Sequence, residues 1–180
     1  MSLSTNDPLK ARLSAAMEPL TSADEIVPRI VFDSELGPLA GHVLLDLLEE
    51  NGAGPEEAQV VVAVGEGSGL LAMQVQAAAA ARGLGYHVAL GHVPDPASPE
   101  LPIIGEERLD GADVVIDDTG ATPNDFLTRL AWRLYNANAN TLAIAILGWP
   151  GYVGSFGGAD EDIDAPIPLY VAIEKDVYGA

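Results

Sequence analysis

An α/β fold, with a mainly parallel five-stranded sheet flanked by helices, is what this sequence predicts. Three observations lead there. Short apolar runs alternate with segments of helical pattern, which is the order of a sheet built by crossovers. The clearest run, Val60 to Val64, is apolar at every position, as a strand covered on both faces should be. Small or acidic residues stand at the joints between strands and helices, where ligands bind in open α/β sheets.

The elements follow in order. Leu9, Leu13, Met17 and Leu20 recur at helical spacing and predict a helix over residues 8–20. Gly37-Pro38 introduces a second helix, Leu39 to Glu50, with Val43, Leu44, Leu47 and Leu48 on its apolar face and Asn51-Gly52 at its end. Val60 to Val64 is the first strand. Gly65 to Gly69 turns the chain, and the alanine-rich segment Leu70 to Arg82 is a helix stopped by Gly83. Tyr86 to Leu90 is a second strand. Residues 91–111, with Pro94, Pro96, Pro99 and Pro102, form a long connection of the kind that usually carries function. Ala112 to Ile116 is the third strand, Asn124 to Tyr135 a helix, Thr141 to Leu147 the fourth strand and Pro168 to Ile173 the fifth. The segment between the last two, Trp149 to Ala165, reads as loop. One domain over 1–180 accommodates all of this, with an N-terminal helical segment at 1–24 and a core at 25–180.

Composition narrows the function classes. Hydrophobic residues make up 48% of the 180, enough for a substantial core. No apolar run approaches the roughly 20 residues of a membrane helix, and residues 1–7 lack the pattern of a signal peptide, so a cytoplasmic protein is expected. There is no cysteine, which excludes disulfides, thiolate metal sites and cysteine nucleophiles. Twenty-seven acids against eight bases leave a net charge of −19, a surface that repels nucleic acid and anionic membrane.

Two joints carry candidate chemistry. Gly65-Glu66-Gly67-Ser68-Gly69 lies between a strand and a helix, where glycines let backbone N–H groups approach an anion. A dinucleotide fingerprint is not matched there. Leu70 stands at its third glycine position, and the second strand ends Leu90-Gly91-His92 without the acid that would hold a ribose. The second joint is Asp117-Asp118, two carboxylates after an apolar strand. Neighbouring side chains on a strand point to opposite faces. One acid can receive ribose hydroxyls while the other holds Mg²⁺ through water; a solvated acidic turn or a capping device is the competing account. Thr122 as N-cap, Pro123 at the first helical position and Asp125 in the first turn form a helix start that needs no phosphate. His42, His92, Trp132, Tyr135, Trp149, Tyr152 and the acidic run Asp160-Glu161-Asp162 are read as packing or solvated surface, although His92 and the Trp149–Tyr152 segment stand where a ligand can be met.

Val114-Val115-Ile116-Asp117-Asp118 followed by Ala121-Thr122 resembles the phosphoribosyl-pyrophosphate motif of the type I phosphoribosyltransferases, and among them the chain is most similar to the orotate enzymes. Gly37-Pro38-Leu39 and its helix resemble the segment before their first sheet strand. Gly65 to Gly69 stands where their pyrophosphate loop lies, and residues 91–111 where their mobile loop lies. The resemblance covers about residues 30–147. It implies a five-stranded parallel sheet under a small hood, and transfer of ribose 5-phosphate from phosphoribosyl pyrophosphate to a pyrimidine-like base such as orotate. It further implies Mg²⁺ as cofactor and a homodimer. Asp117 and Asp118 would bind the ribose hydroxyls and the metal, and Ala121, Thr122 and Asn124 the 5′-phosphate. Glu66, Gly67 and Ser68 would bind the pyrophosphate. Tyr86 to Gly105 contains no Lys or Arg, whereas orotate enzymes carry lysines there; Arg108 and a neighbouring subunit are the remaining sources of positive charge. That absence keeps a second function class open, a non-catalytic binding or assembly protein of the same fold. A third is an S-adenosylmethionine-dependent methyltransferase-like protein, suggested by Val64 to Gly69.

Overall fold

The structure is a computed structural model that describes residues 8–92, 101–122, 124–148, 155–156 and 167–173. Helix α1, Pro8–Met17, is followed by a short 3₁₀ turn at Ala23–Glu25 and a π-type turn at Val27–Val31. Helix α2, Leu36–Glu50, starts three residues before its expected position. The Asp33 carboxylate explains the start, accepting hydrogen bonds from the Glu35 and Leu36 N–H groups at 2.9 Å. Pro38 falls in the first turn, where its missing N–H is harmless.

Strand β1, Val60–Val64, runs directly into helix α3, Gly65–Ala81. The expected glycine turn is therefore mostly helix. Only Gly65, at φ +79°, makes the bend; Gly67 and Gly69 sit in the first helical turns because other chain segments crowd them. A Cβ on Gly67 would lie 2.5 Å from Val27 Cγ2, and one on Gly69 would lie 2.8 Å from Leu90 Cδ1. Strand β2 is His87–Gly91, β3 Ile103–Ile104, β4 Asp113–Asp118, β5 Asn140–Gly148, β6 Ser155–Phe156 and β7 Ile167–Ile173; helix α4 is Asn124–Asn136.

The sheet order is β3-β2-β1-β4-β5-β7-β6. The five expected strands, β2, β1, β4, β5 and β7, pair in parallel. Two antiparallel pieces of two residues each, β3 and β6, extend the edges beyond that expectation. Alternation along β1 divides the core. Val61 and Ala63 pack with residues of α1, α2 and α3, and Val60, Val62 and Val64 pack with Leu127, Leu130 and Leu134 of α4. Leu13, Met17 and Leu20 of the N-terminal segment are buried in the same cluster as α2 and α3. Helices α2 and α3 touch closely: a Cβ on Gly41 would lie 2.5 Å from the Gln74 backbone. No helix among the described residues is long and apolar enough to cross a membrane.

Candidate functional site

The parallel strands end together, and β4 carries its two acids to that end. Both lie inside the strand, Asp117 opposite Ala145 and Asp118 opposite Ile146 on β5, rather than in a turn after it. The apolar run Ala112 to Ile116 predicts a strand that ends before the acids; pairing with β5 carries it through both of them, although aspartate disfavours strands.

Asp118 is 1% exposed and gathers donors from three segments. Ser68 Oγ, from the first turns of α3, donates to its Oδ1 at 2.8 Å, and Thr122 Oγ1 donates to the same oxygen. The Gly120 N–H donates to Oδ2 at 2.8 Å. Thr119 N–H in turn donates to Ser68 Oγ at 3.3 Å, and Ala121 N–H to Thr119 Oγ1 at 3.2 Å. Burial holds the Asp118 carboxyl above its ordinary value, and the hydrogen bonds it accepts offset only part of that rise.

Asp117 faces the other way. It shares the side of Val115, under α2 and α3, with Ala63 and Ala145 opposite it on the neighbouring strands. It is fully buried, and neither carboxyl oxygen has a hydrogen-bond partner. Burial first, and the charge of Asp118 second, push it up to about 8. A carboxyl in that position is protonated at neutral pH.

The site residues read from sequence thus divide. Ser68, Asp118 and Thr122 meet, with Ala121 joined through Thr119. Glu66 is exposed on the first turn of α3, and Gly67 is covered by Val27. Asn124 opens α4, but its side chain lies outside the described residues, as does that of Asp125. Residues 93–100 of the long connection, Trp149 to Gly154 and Gly157 to Pro166 also lie outside them. Two contributors were missed by the sequence reading, Thr119 and Gly120. Gly120 has φ +95°, and a Cβ there would lie 1.8 Å from the Gly148 carbonyl oxygen. A glycine two residues after a strand was the available signal.

Five of the eight basic residues, Arg12, Arg29, Arg82, Arg108 and Arg133, are in ion pairs. Arg108 pairs with Glu107 and lies 3.3 Å from His87 Nε2, at the start of β2. The level of Asp117 is Leu90, three residues further along that strand and so roughly 10 Å away at about 3.3 Å per residue. Arg108 therefore belongs to the opposite end of the sheet, against the sequence expectation.

Magnesium fits this arrangement poorly. A hard cation needs several oxygen ligands, with waters among them. Asp117 is turned into the core, and both oxygens of Asp118 already accept protein donors. No group of three or more carboxylates or imidazoles among the described residues is arranged to hold a metal.

No protein-family model matches the chain, and no curated protein matches it. Solved structures do. A phosphoribosyltransferase from Corynebacterium diphtheriae aligns with 97% of this chain and 100% of its own, at 18% identity and a TM-score of 0.63. Orotate phosphoribosyltransferase from Mycobacterium tuberculosis, in complex with Fe(III) dicitrate, aligns over 93% and 96% at 16% identity and a TM-score of 0.64. The same enzyme in complex with 5-phospho-α-D-ribosyl 1-diphosphate aligns over 80% and 78% at 13% identity and a TM-score of 0.59. At these identities the likeness is one of fold: the chain has the phosphoribosyltransferase fold, in the form that orotate enzymes share.

Proposed function

We propose that this protein is a divergent phosphoribosyltransferase, which transfers ribose 5-phosphate from phosphoribosyl pyrophosphate to a pyrimidine-like base such as orotate. One observation carries the reading. The β1–α3 joint and the end of β4, 50 residues apart in the chain, converge through Ser68 and Asp118 at the C-terminal edge of a sheet with this fold. On this reading Asp118 would receive the ribose hydroxyls, Asp117, expected to share that role, is turned into the core and would not reach them, and Ala121, Thr122 and Asn124 would meet the 5′-phosphate. Glu66, Gly67 and Ser68 would meet the pyrophosphate. A base nitrogen would attack the anomeric carbon as the bond to pyrophosphate breaks. Magnesium, which these acids do not fit, would be carried by the donor itself, and the working form would be a cytoplasmic homodimer. Support comes from the M. tuberculosis enzyme of the same fold, whose structure holds that donor.

A second reading, a non-catalytic binding or assembly protein, is favoured by a specific observation: the two acids are buried, and Asp118 is fully hydrogen-bonded within the protein. Fold does not carry activity by itself. Titration calorimetry with phosphoribosyl pyrophosphate, with and without Mg²⁺, decides between them when paired with an orotate turnover assay. Saturable donor binding, and turnover lost in Asp118→Asn, support the transferase. Absence of heat at millimolar donor refutes it and leaves the second reading standing.

A further inference from the structure

Helix α3 differs from the other helices in its outer surface. Helices α1, α2 and α4 each carry two or more charged residues, whereas α3 carries one, Glu66 in its first turn. Beyond Glu66 the side turned to solvent is apolar. Leu70 is half-buried there, and Met73, Ala77 and Ala80 follow at helical spacing and are exposed. Helices with no charged side are normally buried all round.

The same surface continues across the edge of the sheet. A Cβ on Gly69 would lie 2.8 Å from Leu90 Cδ1, and Leu90 on β2 pairs with Ile104 on β3, so both side chains lie on the α3 side. Met73 stands one turn along α3 from Gly69. Gln76 Nε2 donates to the Tyr86 carbonyl at 2.8 Å, which keeps the helix along β2. Met73 is 56% exposed and Ile104 66%, far more than apolar side chains of their size in the core. The 17 residues of α3 span about 25 Å, close to the side of a patch of about 800 Å², which is what one partner gives to a stable interface.

Charge identifies the occupant. Residues 67–94 contain no acid, in a chain whose net charge is −19. Two copies repel one another wherever carboxylates line both surfaces, and this face has none of its own. The other long run without acids, residues 126–159, holds α4, where Arg133 draws the Glu106 carboxylate onto the helix. We infer that the outer face of α3, extended by Ile104, is where two copies of this chain meet, α3 against α3 about a two-fold axis, in a contact that salt strengthens. Salt screens the long-range repulsion between the copies and leaves the apolar contact intact; an interface held by ion pairs responds in the opposite sense. This rests on the homodimer of the proposed reading, but association is measured without donor or base, so its failure is separate from a failure of transfer.

Sedimentation equilibrium of the full-length protein in about 0.05 M and about 0.5 M NaCl tests it, since the screening length shrinks about threefold between them. The parent is expected to dimerise, at least about tenfold more tightly in the higher salt. Met73→Glu and Ala77→Glu each place a charge in the contact and should weaken it about a hundredfold or more, with the circular dichroism of the parent retained. Tyr135→Glu alters an exposed residue on the other side of the sheet and should leave association within about twofold. Should one α3 variant fold poorly, the other decides. A parent that stays monomeric in the higher salt overturns the proposal and leaves the face to a different protein. A dimer that weakens with salt, or one indifferent to both α3 variants, overturns it as well.

Discussion

Replacing Asp117 by asparagine should stabilise the protein, and by an amount that depends on pH. In the unfolded chain this carboxyl loses its proton near its ordinary value of 3.8, whereas in the folded protein it holds the proton up to about 8. Between those limits the unfolded state is ionised and the folded state is not. Stability therefore falls as pH rises, by ~1.4 kcal/mol per pH unit, and levels off once the folded carboxyl ionises too. Across the window the loss approaches about 6 kcal/mol, a large part of the stability of a domain this size. Asparagine has nearly the same shape and never ionises. Near pH 4 the two proteins should match, since each buries a neutral polar group without a partner. By pH 8 Asp117→Asn should be the more stable by several kcal/mol. Urea unfolding of both proteins at intervals from pH 4 to pH 9, with midpoints converted through the measured m values, gives the difference directly. Asp118 is present in both, so the difference isolates Asp117 and its repulsion by Asp118. A difference that does not change with pH, or a parent protein more stable than the variant at pH 8, would show that Asp117 is not a buried neutral acid.

Other substitutions test the geometry around it. Gly120→Ala combines a left-handed backbone with a side chain driven into the Gly148 carbonyl. It should cost about 3 kcal/mol or more, read as a lowered urea midpoint. Gly41→Ala forces α2 away from the Gln74 backbone of α3 and should cost roughly 1–3 kcal/mol by the same measurement. Arg108→Ala removes a half-exposed cation at the far end of the sheet from the acids. It should change stability by less than about 1 kcal/mol and leave phosphoribosyl pyrophosphate affinity within about twofold of the parent in calorimetry.

The parallel strands were readable because burial on both faces leaves uninterrupted apolar runs; Val60–Val64 has the expected bounds. The edge pieces Ile103–Ile104 and Ser155–Phe156 were not. A two-residue strand has no periodicity, and both stand in segments dominated by proline or glycine. The start of helix α3 was placed five residues late, since glycine is a poor helix former and its value at Gly67 and Gly69 lies in contacts with Val27 and Leu90, which no local pattern reveals. The acid pair was legible as a pair, and strand alternation separated its two side chains. Their burial was not, because it depends on how far β4 continues along β5. Nor could spacing join Ser68 to Asp118. That contact exists only once β1 and β4 lie side by side.

The packing of α1 bears on the order in which the molecule assembles. Met17 is nearly fully buried and sits over Gly148, where even a Cβ would lie 2.1 Å from its terminal methyl. A helix of ten residues has little stability alone in water, so α1 depends on that docking. Its platform lies at the end of β5, most of the chain away, and long-range contacts of this kind form slowly because the intervening segment must first be brought together. During synthesis α1 leaves the ribosome well before its platform does. Contacts of α1 with α2 form between neighbours in the chain, but Met17 gains its seat over Gly148 only when β5 has joined the sheet, so the docking of this helix is completed late.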